Sequence, residues 1–259
     1  MNSRRNLKLC ICLGLSLQLI SIIGQEVALA TDHMNLEEQL PTDLEDALPS
    51  EYLIPEFQSA FRYECTREHG DRFVLLPRVI YGFAPNWHVK LGVPFLLGSA
   101  DKTGSGNVEL ELFKALNDET LHLPIFALAA GGEFPTGFDT RGGNTSVKFI
   151  ATKTVGESST LPRVHVNVSW NHNIGGPSDV RRDSYIALLG YSRFLPGDNV
   201  LVMDLEREQE LEKGKTANLV EAGLRRMFMG QGVISIGAGA GIGENSPHYR
   251  ITLGFQYTF

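Results

Sequence analysis

The sequence is short of several things at once. Three cysteines in 259 residues cannot build a disulfide scaffold. Basic residues do not outnumber acidic ones: 23 Lys and Arg stand against 30 Asp and Glu, a net charge of −7. Neutralising phosphates needs a basic excess, so nucleic acid is excluded as a partner. The extended apolar run from Leu9 to Ile23 falls short of the roughly 20 residues a spanning helix needs. Hydrophobic residues make up only 42% of the chain while glycines number 27, a composition foreign to helical bundles.

What is present begins with an export signal. Arg4, Arg5 and Lys8 precede the apolar run, and Val27-Ala28-Leu29-Ala30 follows it. This is the three-part layout of a secretory signal peptide, with cleavage expected after Ala30. Cleavage removes Cys10 and Cys12 and leaves Cys65 alone. Residues 31–56 then carry eight acidic side chains and no Lys or Arg, whereas residues 57–259 hold 21 acidic and 20 basic residues. The acidity is therefore local. Leu36, Leu40, Leu44 and Leu48 fall four apart with Pro41 between them. A solvated periplasmic leader is the expectation for 31–56, and a plug or docking segment is the alternative left open.

From Phe57 onward apolar residues alternate with polar or small ones. Val164, Val166, Val168 and Trp170 share one face of a strand, and His165, Asn167, Ser169 and Asn171 the other. Such alternation means one wet and one apolar face. Twelve segments of this kind run from 57–66 to 248–259, including 87–97, 107–116 and 121–132. Short turns such as Ala84-Pro85-Asn86 and Pro196-Gly197-Asp198 alternate with longer polar loops such as 98–106, 133–144 and 175–183. An even strand number with short turns at one end and longer loops at the other predicts an all-β fold. The expected architecture is a transmembrane antiparallel up-and-down barrel of about 12 strands, residues 57–259, in a bacterial outer membrane. Aromatics predict two interface girdles against lipid: Tyr81, Phe83, Trp87, Tyr191, Phe194, Phe228, Tyr257 and Phe259 at the turn end, and Trp170, Tyr185 and Tyr249 at the loop end. Lys114 and Arg226 are expected to point outward near turn ends.

The terminal strand, with Phe259 last and Tyr249, Ile251, Leu253, Phe255 and Tyr257 at alternate positions, resembles the segment that barrel-assembly machinery recognises. Together with Tyr81-Gly82-Phe83, the stretch from Trp87 to Phe95 and Phe134-Pro135-Thr136-Gly137, the chain resembles the outer-membrane barrels named for the meta pathway of phenol degradation. In place of the Gly-x-Gly-Asp common in that family stands Gly104-Ser105-Gly106-Asn107. The resemblance implies passage of small solutes, hydrophobic or aromatic compounds among them, across an outer membrane.

No catalytic, metal or cofactor site is expected. His172 to Ser178 lacks the spacing of an outer-membrane lipase. His165 and His172 lie an odd number apart and so face opposite ways along a strand. Glu109 and Glu111 share a face as an acid and base pair would, yet a mixed lumen wall accounts for them. Gly237, Gly239, Gly241 and Gly243 alternate through a strand with no Lys-Ser/Thr after them, which points to close packing against neighbouring wall or lumen contents rather than a phosphate loop. The inward set by register is Arg62, Glu64, His88, Lys90, Glu109, Glu111, Arg163, His165, Asn167, Asp204, Glu206, Glu221, Arg225, Arg250 and Gln256. Both signs occur in it. A narrow, charge-networked interior with weak ion preference is expected.

Overall fold

The computed structural model describes residues 34–67, 70–99, 103–138, 142–156, 160–175 and 180–259. The expected signal peptide, His33, His69 and Ser178 lie outside these. Fourteen strands form one antiparallel sheet: β1 (Pro55–Cys65), β2 (Asp71–Ala84), β3 (Trp87–Gly92), β4 (Phe95–Gly98), β5 (Gly104–Ser105), β6 (Val108–Ala115), β7 (Ile125–Phe134), β8 (Gly143–Thr154), β9 (Arg163–Ile174), β10 (Asp183–Leu195), β11 (Asn199–Gln209), β12 (Thr216–Phe228), β13 (Gly232–Gly241) and β14 (Tyr249–Thr258). From β6 to β14 each strand pairs with the next, β3 links β6 to β2, β2 pairs with β1, and β14 returns to pair with β1 from Glu56↔Thr258 to Cys65↔Tyr249. The sheet therefore closes as a 12-strand barrel, which abolishes the free edges a flat sheet would expose.

One of the two extra strands comes from an interruption, and the other, β5, is a two-residue strand in the expected loop 98–106. The expected strand 87–97 breaks at Val93-Pro94, because Pro94 has no N–H to give the ladder. β3 pairs with Arg78–Ala84 of β2 and with β6, whereas β4 pairs with Arg72–Leu75 and with β5. The expected strand 121–132 begins only at Ile125. Before it, the Asn117 side chain closes a wider turn, donating to Pro124 O (2.8 Å) and accepting from Phe126 N (3.0 Å). Tighter hairpins use left-handed residues: Gly197 and Asp198, then Met229 and Gly230, all have positive φ, which matches the strand twist.

Burial follows the two-residue period. Leu91, Leu112, Val147, Val168, Leu189, Leu205, Ile236 and Leu253 are exposed on the outer face, while Lys90, Lys148, His165, Asp204 and Arg250 are buried inside. Among the girdle aromatics, Tyr81, Trp170, Tyr185, Tyr249 and Phe259 are exposed on the outer side. Tyr191 and Tyr257 are half-buried, the latter donating its hydroxyl to Gln231 Oε1 (2.9 Å). Trp87 carries Lys114 Nζ 4.6 Å from its ring centroid. Phe194 departs from expectation: it faces inward and packs against Leu36, Leu44, Leu188, Val200 and Val202.

An outer face in hydrocarbon has a measurable consequence. Leu253→Arg, near the middle of β14, is expected to lower barrel stability in lipid by about 2–4 kcal/mol. Urea titration of folding into vesicles reads this; a loss under about 1 kcal/mol would place the residue outside hydrocarbon.

Candidate functional site

The lumen does not run open. Residues 34–54 enter it from the short-turn end, where Leu53 N donates to Gly82 O (2.7 Å) and Ser50 N to His88 Nδ1 (3.0 Å). This corrects the expectation of a solvated leader. Leu36, Leu40, Leu44 and Ala47 are at most 2% exposed. The four-residue leucine spacing does not make a helix. Leu40 N bonds Glu37 O (3.0 Å) and Asp46 N bonds Leu36 O (3.1 Å), so the segment folds back on itself and brings Leu36 and Leu44 to one patch of wall and Leu48 to another.

The wall is shaped to receive it. Leu36 and Leu44 pack on Leu188, Val200 and Val202, and Ala47 and Leu48 on Phe113, Ile125, Ala127 and Ile150. Fully burying one such side chain stabilises the docked state by about 1.5–3 kcal/mol. At Gly190 a side chain would collide with Leu44, and at Gly223 and Gly237 with Pro41. Glycine in these strands is thus the room the plug occupies.

Charge fixes the register of the plug. Lys148 Nζ sits among Glu38 (2.6 Å), Glu45 (2.7 Å) and Glu111 (3.4 Å). Lys90 Nζ meets Glu37 (2.9 Å), Glu111 (3.3 Å) and Glu45. On the other side Asp43 pairs with Arg62 and with Arg250 Nη1 (2.5 Å). Arg250 also reaches Glu64 (2.6 Å), Glu221 (3.2 Å) and Glu206 (3.5 Å). Among the described residues, two groups of three carboxylates have metal-like spacing, Glu38/Glu45/Glu111 and Asp43/Glu206/Glu221. Each already encloses a side-chain cation, Lys148 in the first and Arg250 in the second.

Neutral groups complete the dock. Asn167 accepts from Glu45 N (2.9 Å) and donates to Glu45 O (2.8 Å). Arg225 donates to Leu40 O (3.0 Å) and to Gln256 (2.7 Å), and Arg163 to Met34 O (3.5 Å). His165 bridges Thr152 Oγ1 (3.1 Å) and Ser192 Oγ (2.9 Å), and Thr152 accepts from Ala47 N (2.9 Å). The His165–Ser192 pair has the reach of a nucleophile and its base. Both residues are buried with the plug docked.

Of the residues expected to line the lumen, Arg62, His88, Lys90, Arg163, Asn167, Arg225 and Arg250 touch the plug directly, and His165 does so through Thr152. Glu109, with Glu111, lines a vestibule of about 380 Å³ on the loop side of the plug. A recess of about 180 Å³ beside Asp43, Arg62, Glu206 and Arg250 adjoins it. Glu64, Asp204 and Glu221 surround the Arg250 network. Lys148, Arg78 and Thr152 were not singled out from sequence. Ser146, Lys148 and Thr152 share the polar face of β8, a signal that alternation alone could have given.

Asp46 provides a pH response. Burial lifts its carboxyl to about 7, against the pull of the Leu36 and Leu48 amides and Arg163. The docked plug holds a proton there that the undocked segment releases near the ordinary carboxylate value, so this contribution is full in acid and lost as pH rises through about 7. Asp43 and Glu45 act oppositely. Burial raises them, but Arg62 and Arg250, and Lys148 and Lys90, outweigh it and hold both well below the usual range; their contribution fades on acidification below about 4. Docking is therefore expected to be tightest near pH 4 and to loosen as pH rises from about 4 through about 7. Amide exchange of residues 34–49, corrected for intrinsic rate, should rise over that range, and Asp46→Asn should flatten the rise. An unchanged slope in that variant would refute the assignment.

No protein family matches the chain, and no curated protein does. Solved structures do match. An outer-membrane channel from Pseudomonas putida F1 superposes with a TM-score of 0.63 at 16% identity, covering 84% of this chain and 100% of that one. KdgM porin follows at 0.54 and 13%, covering 78% and 99%, and NanC porin at 0.55 and 9%, covering 79% and 100%. At these identities the likeness carries the fold alone, and that fold is the outer-membrane barrel of channels and porins.

Proposed function

We propose that this chain is an exported outer-membrane barrel that passes small solutes passively, with residues 34–54 as its gate. The carrying observation is the plug itself: a segment held by ion pairs and glycine sockets inside a barrel whose outer face is apolar. Ion pairs and short anchors can release, whereas a lumen filled by strand side chains cannot. Cleavage after Ala30, insertion through the C-terminal strand by the assembly machinery, and kinship with the meta-pathway barrels belong to this reading. Support for the kinship comes from the Trp87–Phe95 and Phe134–Gly137 stretches. The polar vestibule supports hydrophilic solutes over the hydrophobic and aromatic ones that kinship implies.

A closed barrel acting through its loops is the second reading, favoured by the tight burial of Leu36, Leu40 and Leu44. Deleting residues 34–49 separates the two. A gate predicts that solute flux into proteoliposomes rises at least about tenfold, and Gly223→Leu, which evicts Pro41 without shortening the chain, should raise it in the same direction. A folded deletion variant that passes nothing would leave the closed-barrel reading standing and sink the channel.

A further inference from the structure

The plug covers two sides of the lumen, and its withdrawal would leave them in different condition. Lys90 and Lys148 meet Glu37, Glu38 and Glu45 of the plug, and among the described residues Glu111 is the one wall carboxylate that pairs with either. Arg250, across the lumen, keeps Glu64 (2.6 Å), Glu221 (3.2 Å) and Glu206 (3.5 Å), all on the wall. Withdrawal therefore uncovers cationic charge chiefly on the Lys90 and Lys148 side.

The same side carries an apolar floor. Inward positions of β3, β6, β7 and β8 fall in rows: Lys90 pairs with Glu111 and Glu111 with Gly131. One row nearer the short turns His88, Phe113, Ala129 and Lys148 are successive partners, and beyond them come Ala115, Ala127 and Ile150. Phe113, Ala129, Ala115, Ala127 and Ile150 are buried in one cluster that continues to Ile125, with His88 stacked on Phe113 at 4.2 Å between centroids. Two residues along a strand span about 7 Å, so two ammonium groups stand at the loop-side margin of an apolar floor about 14 Å long. The plug fills this sector with matching chemistry. The Glu45 carboxylate bridges both lysines, 2.7 Å from Lys148 Nζ, and Ala47 and Leu48 lie on the floor. A carboxylate followed closely by a short apolar stretch is what the wall holds.

Deepening the channel reading, and resting on it, we propose that this sector binds amphipathic organic anions, small carboxylates with a short apolar tail. They take the places of Glu45 and of Ala47 and Leu48 when the plug leaves. Ligand and plug exclude one another, so the solute shifts the gate toward its open state. Charge selects the head group: an ammonium would face Lys90 and Lys148, and a neutral head would leave the two lysines with Glu111 alone. Burial selects the tail, because each methylene removed from water on the floor strengthens the complex.

Amide exchange of residues 44–49 in the full-length protein, in non-ionic detergent at a fixed pH of about 7 where a free carboxylic acid is ionised, reads this competition without requiring passage. The probes are hexanoate, 1-hexanol, hexylamine and acetate. A ligand that binds only the undocked state multiplies exchange by one plus the ratio of its concentration to its dissociation constant. Hexanoate should therefore raise exchange linearly with concentration, to at least about tenfold, while the other three at equal concentration stay below about twofold. Lys148→Gln loosens the plug by itself, but the relative slope with hexanoate should fall at least about fivefold, because a charge-assisted contact to the head is lost. Asp43→Asn loosens the plug from Arg62 and Arg250 on the other side and should keep that slope. An equal response to hexanol or acetate, an unchanged slope in Lys148→Gln, or a flat hexanoate titration in both the unmodified protein and Asp43→Asn overturns the proposal. Failure of the channel reading shows separately, as absent flux on plug deletion with the hexanoate response intact.

Discussion

Everything in the lumen depends on neutralising charge where water is scarce. Lys90, Lys148, Arg62 and Arg250 are wall residues buried inside the barrel, and much of their counter-charge comes from Glu37, Glu38, Asp43 and Glu45 of the leader. Removing one partner from such a pair typically costs about 3–5 kcal/mol, because the other is left buried and uncompensated. The acidic leader and the basic wall are thus one electrostatic unit. The concentration of negative charge ahead of a nearly neutral barrel is the half of that unit that happens to precede the first strand.

Packing and charge divide the work. The leucines and Pro41 supply contact with inward apolar patches and glycine sockets near the short-turn end, and the ion pairs set which residue of the plug meets which strand. A buried ion pair by itself is weak evidence of stability. Here its consequence is specificity of docking, while the apolar anchors supply the adhesion. The same arrangement leaves the loop side of the lumen polar and open, with Glu109, Glu133 and Glu208 in one lining with Arg78, Lys90 and Lys148.

The fold was legible because a barrel writes itself in a period of two. Val164 to Asn171, or Tyr249 to Phe259, cannot alternate as they do in any other arrangement that also has short turns at one end. The break at Pro94 was readable in principle from the missing N–H. The plug was harder. Leu36, Leu40, Leu44 and Leu48 announced burial, but the spacing suggested a helix face, and the contacts that replace the helix are tertiary. A clue lay in the wall instead: Val200 to Met203 and Ile125 to Ala130 are apolar on both faces, which a barrel with a wholly wet interior does not need. Phe194 was misassigned to the girdle for the same reason. The surroundings of Glu109 and Glu133 could not be read from sequence, since they depend on where the plug places Lys90 and Lys148.

That the leader sits inside the barrel and governs passage is the central claim, and a reversible tether tests it most directly. A Cβ at position 190 would lie 2.9 Å from Leu44 Cγ, the place a cysteine sulfur at 44 would take. In a Cys65→Ser background, Leu44→Cys with Gly190→Cys should cross-link on oxidation, and single-channel recordings should then show no openings. Reduction with dithiothreitol should restore them. A protein that cross-links fully yet conducts identically in both states would contradict the account.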